Sequence, residues 1–417
     1  RDGIVTVALS WILLSFFGGL PFVFAGEIPN VADAFFETAS GFTTTGSSIL
    51  SDLSILGYSS LFWRSFTHLV GGMGVLVFAL AILPSTGSDS VQLMRAEVPG
   101  PVFGKLVSKL AKTARILYAI YLVMTAILVI ILMLVKVPLF DALLLSFGTA
   151  GTGGFAINNA GFAIYQNPEM VEWIIGVGMM LFGVNFNLYY FLLLGSIREV
   201  LTDEEGRSYI GIIAFASVAI FASLSIVQSQ LDVPFRSVFF TVSSIITTTG
   251  FSTVDFDKWP TFSKTILMFL MFCGACAGST AGGFKVSRFV ILIKKFVREF
   301  KKIGHPNKVL NIKLEGKTLD KNMLEGVDSY FIIYSVILFI LLLITAWESD
   351  TFITALSAVL ATFNNIGPGF GAVGPTSNFA VYSPLTKIVL SLGMLLGRLE
   401  IIPLLILVSP RIYRKRD

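Results

Sequence analysis

Eight apolar runs, each close to the roughly 20 residues that an α-helix needs to cross a bilayer, recur along the 417-residue chain at 4–25, 61–83, 116–135, 171–194, 210–227, 266–292, 330–347 and 385–408. Glycines interrupt the sixth. This pattern predicts an all-α polytopic membrane protein, because helices satisfy every backbone group within hydrocarbon. Hydrophobic residues make up 54% of the chain and charged residues 13%, against about 25% charged in soluble domains. Disorder, collagen-like repeats and an ordinary soluble enzyme are thereby excluded. Cys273 and Cys276 lie inside one apolar glycine-rich stretch, so neither a disulfide framework nor a metal cluster is expected. The chain starts at Arg1, so its native start is expected upstream and a signal peptide cannot be assessed.

Between paired runs lie shorter segments rich in Thr, Ser, Asn and Gly, too short to span and suited to re-entrant loops. Non-helical backbone at membrane depth survives only where it lines a cavity or is buried in protein. Aligning these segments on one glycine exposes an internal repeat. Asp33 and Gly46, Asp141 and Gly154, Ser237 and Gly250, and Thr354 and Gly367 are each separated by 13 residues, and the glycines follow at intervals of 108, 96 and 117 residues. The chain therefore reads as four copies of helix, re-entrant segment, helix, at 1–95, 96–205, 206–310 and 311–417.

Asp33, Asp141, Ser237 and Thr354 are residue types that cap helix N-termini, since a side-chain oxygen satisfies first-turn N–H groups. Each is expected to open a helix of about eight to ten residues, rising about 12–15 Å and ending near mid-membrane. The carbonyl end of such a helix carries roughly half a negative charge, and four ends on one axis favour a cation. The runs that follow are Thr43-Thr44-Thr45-Gly46, Gly151-Thr152-Gly153-Gly154, Thr247-Thr248-Thr249-Gly250 and Asn364-Asn365-Ile366-Gly367. They can turn carbonyls and hydroxyls toward a dehydrated cation, with glycine supplying the backbone angles. One such run alone reads as helix packing by small residues; four at a fixed offset favour the ion site.

With TTTGS, GTGGF, TTTGF and NNIGPGFGAVGP as its four segments, the chain resembles the Trk/Ktr/HKT superfamily of potassium transporters. Within it, the chain resembles the TrkH family. The residues that carry this are RDG opening the first run, FWRSFTHLVGGMG in the second, RAEVPGP after it, CGACAGSTAGGFKVSR in the sixth and LLGRLEI in the last. Ktr-type membership is the lesser alternative. The resemblance covers essentially the whole chain, although TrkH-type proteins usually carry one further helix pair ahead of this point, so a trimmed or shorter member is expected. It implies a gated potassium pore with K⁺ as the transported ion at the four filter segments and no cofactor in this chain. Glycine at all four positions resembles the potassium-conducting members. Gly151 and Gly153, standing where repeats one and three have threonine, weaken the expected discrimination against Na⁺.

Each glycine inside a straight helix costs about 1 kcal/mol relative to alanine. The stretch Gly274-Ala275-Cys276-Ala277-Gly278-Ser279-Thr280-Ala281-Gly282-Gly283 is therefore expected to form a kink or an intramembrane loop, close small-residue packing being the alternative. The resemblance gives this loop the role of gate. Arg398 lies in the last run beside Glu400, and a charge there must pair or face water. It reads either as a pore-facing cation below the filter, which the resemblance also implies, or as half of a structural ion pair. Arg64 and His68, one turn apart, read as an interfacial pair near the outer start of the second run.

Basic residues set the orientation. They cluster between repeats, at Arg95, Lys105, Lys109 and Lys112, at Arg198 and Arg207, from Lys285 to Lys302, and in the tail at Arg411, Arg414, Lys415 and Arg416. These loops and the C-terminus are expected in the cytoplasm of a bacterial inner membrane. The Lys294–Lys302 run suits anionic lipid. The resemblance adds a homodimer on a cytosolic nucleotide-binding regulatory subunit similar to TrkA. No Walker A or dinucleotide fingerprint occurs in this chain, so nucleotide sensing falls to that partner; no nucleic acid is expected. The alternatives within transport are a weakly selective K⁺/Na⁺ pathway and a symporter coupled to H⁺ or Na⁺. A membrane enzyme lacks a nucleophile beside either histidine, and a non-conducting scaffold is the remaining class.

Overall fold

The computed structural model describes residues 2–74, 110–227, 233–304 and 310–408. The RAEVPGP motif, Arg95, Lys105, Lys109, the side chain of Lys112, His305, the basic tail residues, the end of the second apolar run and the first repeat boundary lie outside the described residues. The first quarter of the chain forms α1 (Asp2–Phe24), α2 (Val31–Phe42) and α3 (Tyr58–Gly72). The second forms α4 (Leu110–Leu134), α5 (Leu139–Gly151), α6 (Pro168–Phe182), α7 (Phe186–Leu193) and α8 (Ile197–Thr202). The third forms α9 (Glu204–Val227), α10 (Phe235–Ile246), α11 (Thr261–Cys273) and α12 (Val286–Gly304). In the fourth, a hairpin of β1 (Lys313–Leu314) and β2 (Lys317–Thr318), with Lys313 opposite Thr318, precedes α13 (Lys321–Ala346), α14 (Phe352–Phe363), α15 (Pro384–Arg398) and α16 (Ile402–Val408).

Helices α1, α4, α9 and α13 are long and apolar enough to span a membrane, and only 17–39% of each such window is buried. Side chains such as Phe17, Ile130, Phe215 and Leu343 stand exposed on them, as lipid-facing residues must. The short helices α2, α5, α10 and α14 occupy the interior instead: α14 is buried at nearly every position from Thr354 to Phe363. Their small residues let the neighbouring helices approach closely.

Two expectations are corrected. The second runs of quarters two and four are not continuous helices. After α6 the chain bends by 89° into α7, because Gly183 ends the first helix and Asn185 caps the second by accepting from Asn187 N–H. In the last run the break falls at Leu399–Ile401, where Glu400 and Ile401 adopt φ +55° and +68°. The stop after Cys273 matches the interruption expected there. The four anticipated caps are also displaced. Asp33, Asp141, Ser237 and Thr354 each sit third in their helix, and the caps are Asn30, Pro138, Pro234 and Thr351. Asn30 and Thr351 accept first-turn N–H groups, while the two prolines enter with extended backbone. The short helices therefore have 12 or 13 residues, about 18–20 Å of rise. The carboxylates of Asp33 and Asp141 still lie against the positive helix end, where they are favourable.

Candidate ion site at the helix ends

All four short helices end in one way. Thr44, Thr152, Thr248 and Asn365 adopt left-handed backbone with φ between +55° and +57°. Their N–H groups donate to the carbonyls of Gly41, Thr149, Ile245 and Thr362, and the next residues, Thr45, Gly153, Thr249 and Ile366, reach back to Ser40, Gly148, Ser244 and Ala361 at 2.7–2.9 Å. This pair of bonds is a Schellman cap, which satisfies two orphan carbonyls and reverses the chain. One residue further on, Gly46, Gly154, Gly250 and Gly367 take positive φ. Gly154, not Gly153, is thus the counterpart of the other three.

These turns close on one another. A Cβ placed on Gly46 would overlap the carbonyl oxygen of Gly153; on Gly154, that of Thr249; on Gly250, that of Ile366; on Gly367 it would lie 3.0 Å from Thr45 O. Each of these glycines therefore abuts the backbone oxygen just before the next one, and the fourth returns to the first. Two hydrogen bonds strengthen the last joint: Ser47 Oγ donates to Gly367 O at 2.8 Å and Asn365 Nδ2 to Thr45 Oγ1 at 2.9 Å. In repeats one and three the threonine hydroxyls pair behind the turn, Thr43 with Thr45 and Thr247 with Thr249, both at 2.8 Å. Those hydroxyls brace the turn, leaving backbone carbonyls as the natural ligands.

One side of the ring opens into a cavity of about 820 Å³ lined by all four glycines. Its wall holds Arg64 and Glu172, each in an ion pair. Arg64 meets the fully buried Glu37 at 2.7 Å and lies 4.1 Å above the Phe155 ring, and Arg236 bonds Glu172 and also meets Glu169 at 3.0 Å. Between the cavity-lining residues Ser51 and Leu53, exposed Asp52 is held below the usual carboxylate range by the Ser54 N–H first, then by the Asn159 and Ser54 side chains.

On the other side lies the glycine-rich stretch, buried and non-helical between α11 and α12. Gly274, Gly278 and Gly283 take positive φ. Gly282 N–H donates to Thr248 Oγ1 at 2.7 Å, Cys276 N–H to Gly183 O at 3.1 Å, and Gly278 O accepts from Phe186 N–H at 3.0 Å. Glu205 of α9 accepts from Ala277 N–H at 2.7 Å and Ser287 N–H at 2.9 Å, tying the loop to the helix after it. Arg398 donates to Thr280 O at 2.7 Å and to the carbonyls of Gly71 and Gly72 at the end of α3. The loop and Arg398 together join the undersides of all four quarters. Glu400 does not pair with Arg398 as half of a structural ion pair: it bonds Arg288, because the turn at Glu400 and Ile401 points it toward α12.

The pair Arg64 and His68 is not interfacial. Arg64 is 2% and His68 0% exposed, drawn inward by Glu37 and by Gly41 O. The sequence reading also passed over Glu37, Glu172 and Glu205, all buried. Their signal was present: a single carboxylate in AFFETASGF, the second of two in EMVEW, and the last of three in the DEEG run that opens α9. Besides Arg64, Glu37 accepts from Ser48 Oγ and from Ile49 N–H at 3.0 Å, anchoring the chain just beyond Gly46. Glu37→Gln leaves the Arg64 charge buried and is expected to cost about 3 kcal/mol, read as a lower unfolding midpoint in detergent. An unchanged midpoint would mean that Glu37 does not neutralise Arg64.

A family model described as TrkH, a cation transport protein, matches residues 1–413. The chain is 39% identical over 423 residues to the Trk system potassium uptake protein TrkH of Salmonella typhimurium, covering 100% of this chain and 86% of that one. It is 34% identical to the Trk system potassium uptake protein TrkG of Escherichia coli K12, covering 99% and 86%. Among solved structures, the crystal structure of the potassium transporter TrkH from Vibrio parahaemolyticus superposes with a TM-score of 0.85 at 35% identity, covering 99% of this chain and 86% of that one.

Proposed function

The chain belongs to the TrkH family of cation transport proteins, and on that premise we propose that it takes up potassium through the ring of four backbone turns, as a transporter and not an enzyme. The observation that carries this reading is the closed contact of the four filter glycines, each against the carbonyl of the next repeat. Carbonyl oxygens at this density can replace part of the hydration shell of K⁺. The residues from Thr43 to Gly46, Gly151 to Gly154, Thr247 to Gly250 and Asn364 to Gly367 would form the rungs. Thr44 Oγ1 and Asn365 Oδ1, buried without a hydrogen-bond partner, would supply further oxygens near them. The cavity is the outer vestibule, and the Gly274–Gly283 loop with Arg398 is the gate. The bonds from Gly282 to Thr248 and from Arg398 to Thr280 support reading this arrangement as closed.

Basic residues on α12 support a cytoplasmic reading of that end, in which they would offer a docking face for an acidic or nucleotide-controlled partner and for anionic lipid. The relatives are named as parts of a Trk system, which fits a multi-component assembly; a homodimer on a TrkA-like subunit is the form proposed. Buried carboxylates in symporters carry protons, yet Glu37 and Glu172 are each held by an arginine and Glu205 by backbone N–H groups. This favours a pore without obligate proton coupling.

Rubidium uptake into sealed proteoliposomes, with K⁺ and Na⁺ as competitors, tests the reading. K⁺ is expected to compete at concentrations well below Na⁺, and Gly250→Ser, whose Cβ would overlap Ile366 O, is expected to lose that preference. Equal competition by both ions in the unmodified protein would replace it with a weakly selective K⁺/Na⁺ pathway.

A further inference from the structure

Repeat two lacks the hydroxyl pair that braces repeats one and three, having Gly151 and Gly153 in their place. The space is not empty. A Cβ on Gly153 would fall within the His68 imidazole, against Cγ, Nδ1 and Cδ2, and a Cβ on Gly151 would overlap the His68 carbonyl. Gly153 has no positive φ, so its backbone alone would accept alanine; the ring is what excludes a side chain. His68 is fully buried and belongs to α3, in the preceding repeat.

The partners fix the state of the ring. Nδ1 lies 2.8 Å from Gly41 O, and Nε2 lies 3.3 Å from the Phe155 N–H. A carbonyl only accepts and an amide only donates, so the imidazole is neutral with its proton on Nδ1. Gly41 O also takes the Schellman bond from Thr44 N–H. Phe155 directly follows Gly154 and lies 4.2 Å from the imidazole, centroid to centroid. One side chain thus joins the helix end of filter one to the exit of filter two, on the side away from the abutting Gly46.

We propose that His68 is a selectivity-determining positioning residue, a brace supplied by repeat one that does for filter two what Thr43–Thr45 and Thr247–Thr249 do for their own. The inference rests on reading the ring as the ion filter. A filter discriminates between K⁺ and Na⁺ only while its carbonyls resist closing on the smaller ion. Without the imidazole, Gly151 and Gly153 have neither a hydroxyl pair of their own nor a neighbour's ring behind them.

The test is the same proteoliposome assay, read as the ratio of Na⁺ to K⁺ concentrations that halve rubidium uptake. His68→Ala is expected to keep uptake and to lower that ratio about tenfold, the equivalent of one lost hydrogen bond of about 1.4 kcal/mol. Gly153→Ala alone is expected to lose most uptake, because its methyl group collides with the imidazole. His68→Ala with Gly153→Ala is expected to recover uptake several-fold over Gly153→Ala, a coupling that two independent lesions would not show. If His68→Ala does not fold, His68→Asn, which keeps a donor toward Gly41 O without the ring, is expected to lower the ratio as well. A wild-type ratio in a folded His68 variant, or a double variant no better than Gly153→Ala, overturns the proposal. If the unmodified protein shows no K⁺ preference, the filter reading itself fails and takes this inference with it. If Gly250→Ser loses the preference and His68→Ala retains it, only this inference fails.

Discussion

Changing Gly154 to alanine is expected to reduce potassium uptake about a hundredfold without preventing the protein from inserting and folding. Two costs combine. A non-glycine residue at φ +66° carries a penalty of about 1–2 kcal/mol, and the added methyl group meets Thr249 O and, at 2.8–2.9 Å, the carbonyl carbons of Thr249 and Gly250. Overpacking of this kind costs about 1–3 kcal/mol. Because the obstacle is backbone, relief comes only by moving a rung of the next repeat, and about 2.7 kcal/mol placed on the conducting geometry corresponds to a hundredfold in rate. Gly26→Ala separates the two costs. Gly26 has φ +73° with nothing within 4 Å of its Cβ position, so it should lower stability by about 1 kcal/mol and leave uptake unchanged. Wild-type uptake in Gly154→Ala would remove the ring from the permeation path.

Arg398→Ala is expected to act in the opposite direction and raise rubidium uptake in the absence of any partner by about tenfold or more. The guanidinium holds Thr280 O on the loop to Gly71 O and Gly72 O across the underside of the ring. Hydrogen bonds to a charged group contribute about 1.5–3 kcal/mol, and loss of that amount from the closed arrangement shifts a closed-to-open equilibrium by about 10- to 100-fold. On the proposed reading the variant also removes a positive charge from the exit path. Arg398→Lys, with one compact ammonium in place of a planar fork, cannot reach both sides at once and is expected to fall between the two. Folded Arg398→Ala protein with unchanged or lower flux would show that this clamp does not limit conduction.

The parts of this architecture that were legible in the sequence are those written in local backbone chemistry. A Schellman cap followed by a positive-φ glycine needs particular residues at fixed offsets, so its four copies surface as a 13-residue register. The interruption at Gly274–Gly283 is visible for the same reason, since glycines at that density do not make a straight helix. What stayed hidden depends on contacts between distant segments. Asp33, Asp141, Ser237 and Thr354 looked like caps because cap chemistry and third-position chemistry favour the same side chains; the prolines at 138 and 234 enter a helix without offering a capping oxygen. The bends at Gly183 and Glu400 lie within apolar stretches that a hydropathy window averages away. Arg64 appeared interfacial because no sequence pattern pairs it with Glu37, 27 residues earlier, although that lone carboxylate in an apolar helix was itself visible. Gly153 looked like a defect in repeat two until His68, 85 residues earlier in the chain, was seen to occupy its missing side-chain volume.

The closure of the ring has a bearing on biosynthesis. Its last joint joins residues 320 positions apart, Asn365 to Thr45 and Gly367 to Ser47, whereas the other joints link consecutive quarters of the chain. A nascent polypeptide that has inserted three quarters therefore holds three rungs in order and leaves Gly250 facing a space that Ile366 has yet to fill. Such an arc has no complete coordination shell to offer a dehydrated ion. On the proposed reading the pathway is complete only once Asn365 and Gly367 have met Thr45 and Ser47, so a chain that stops short of that segment is expected to lack it.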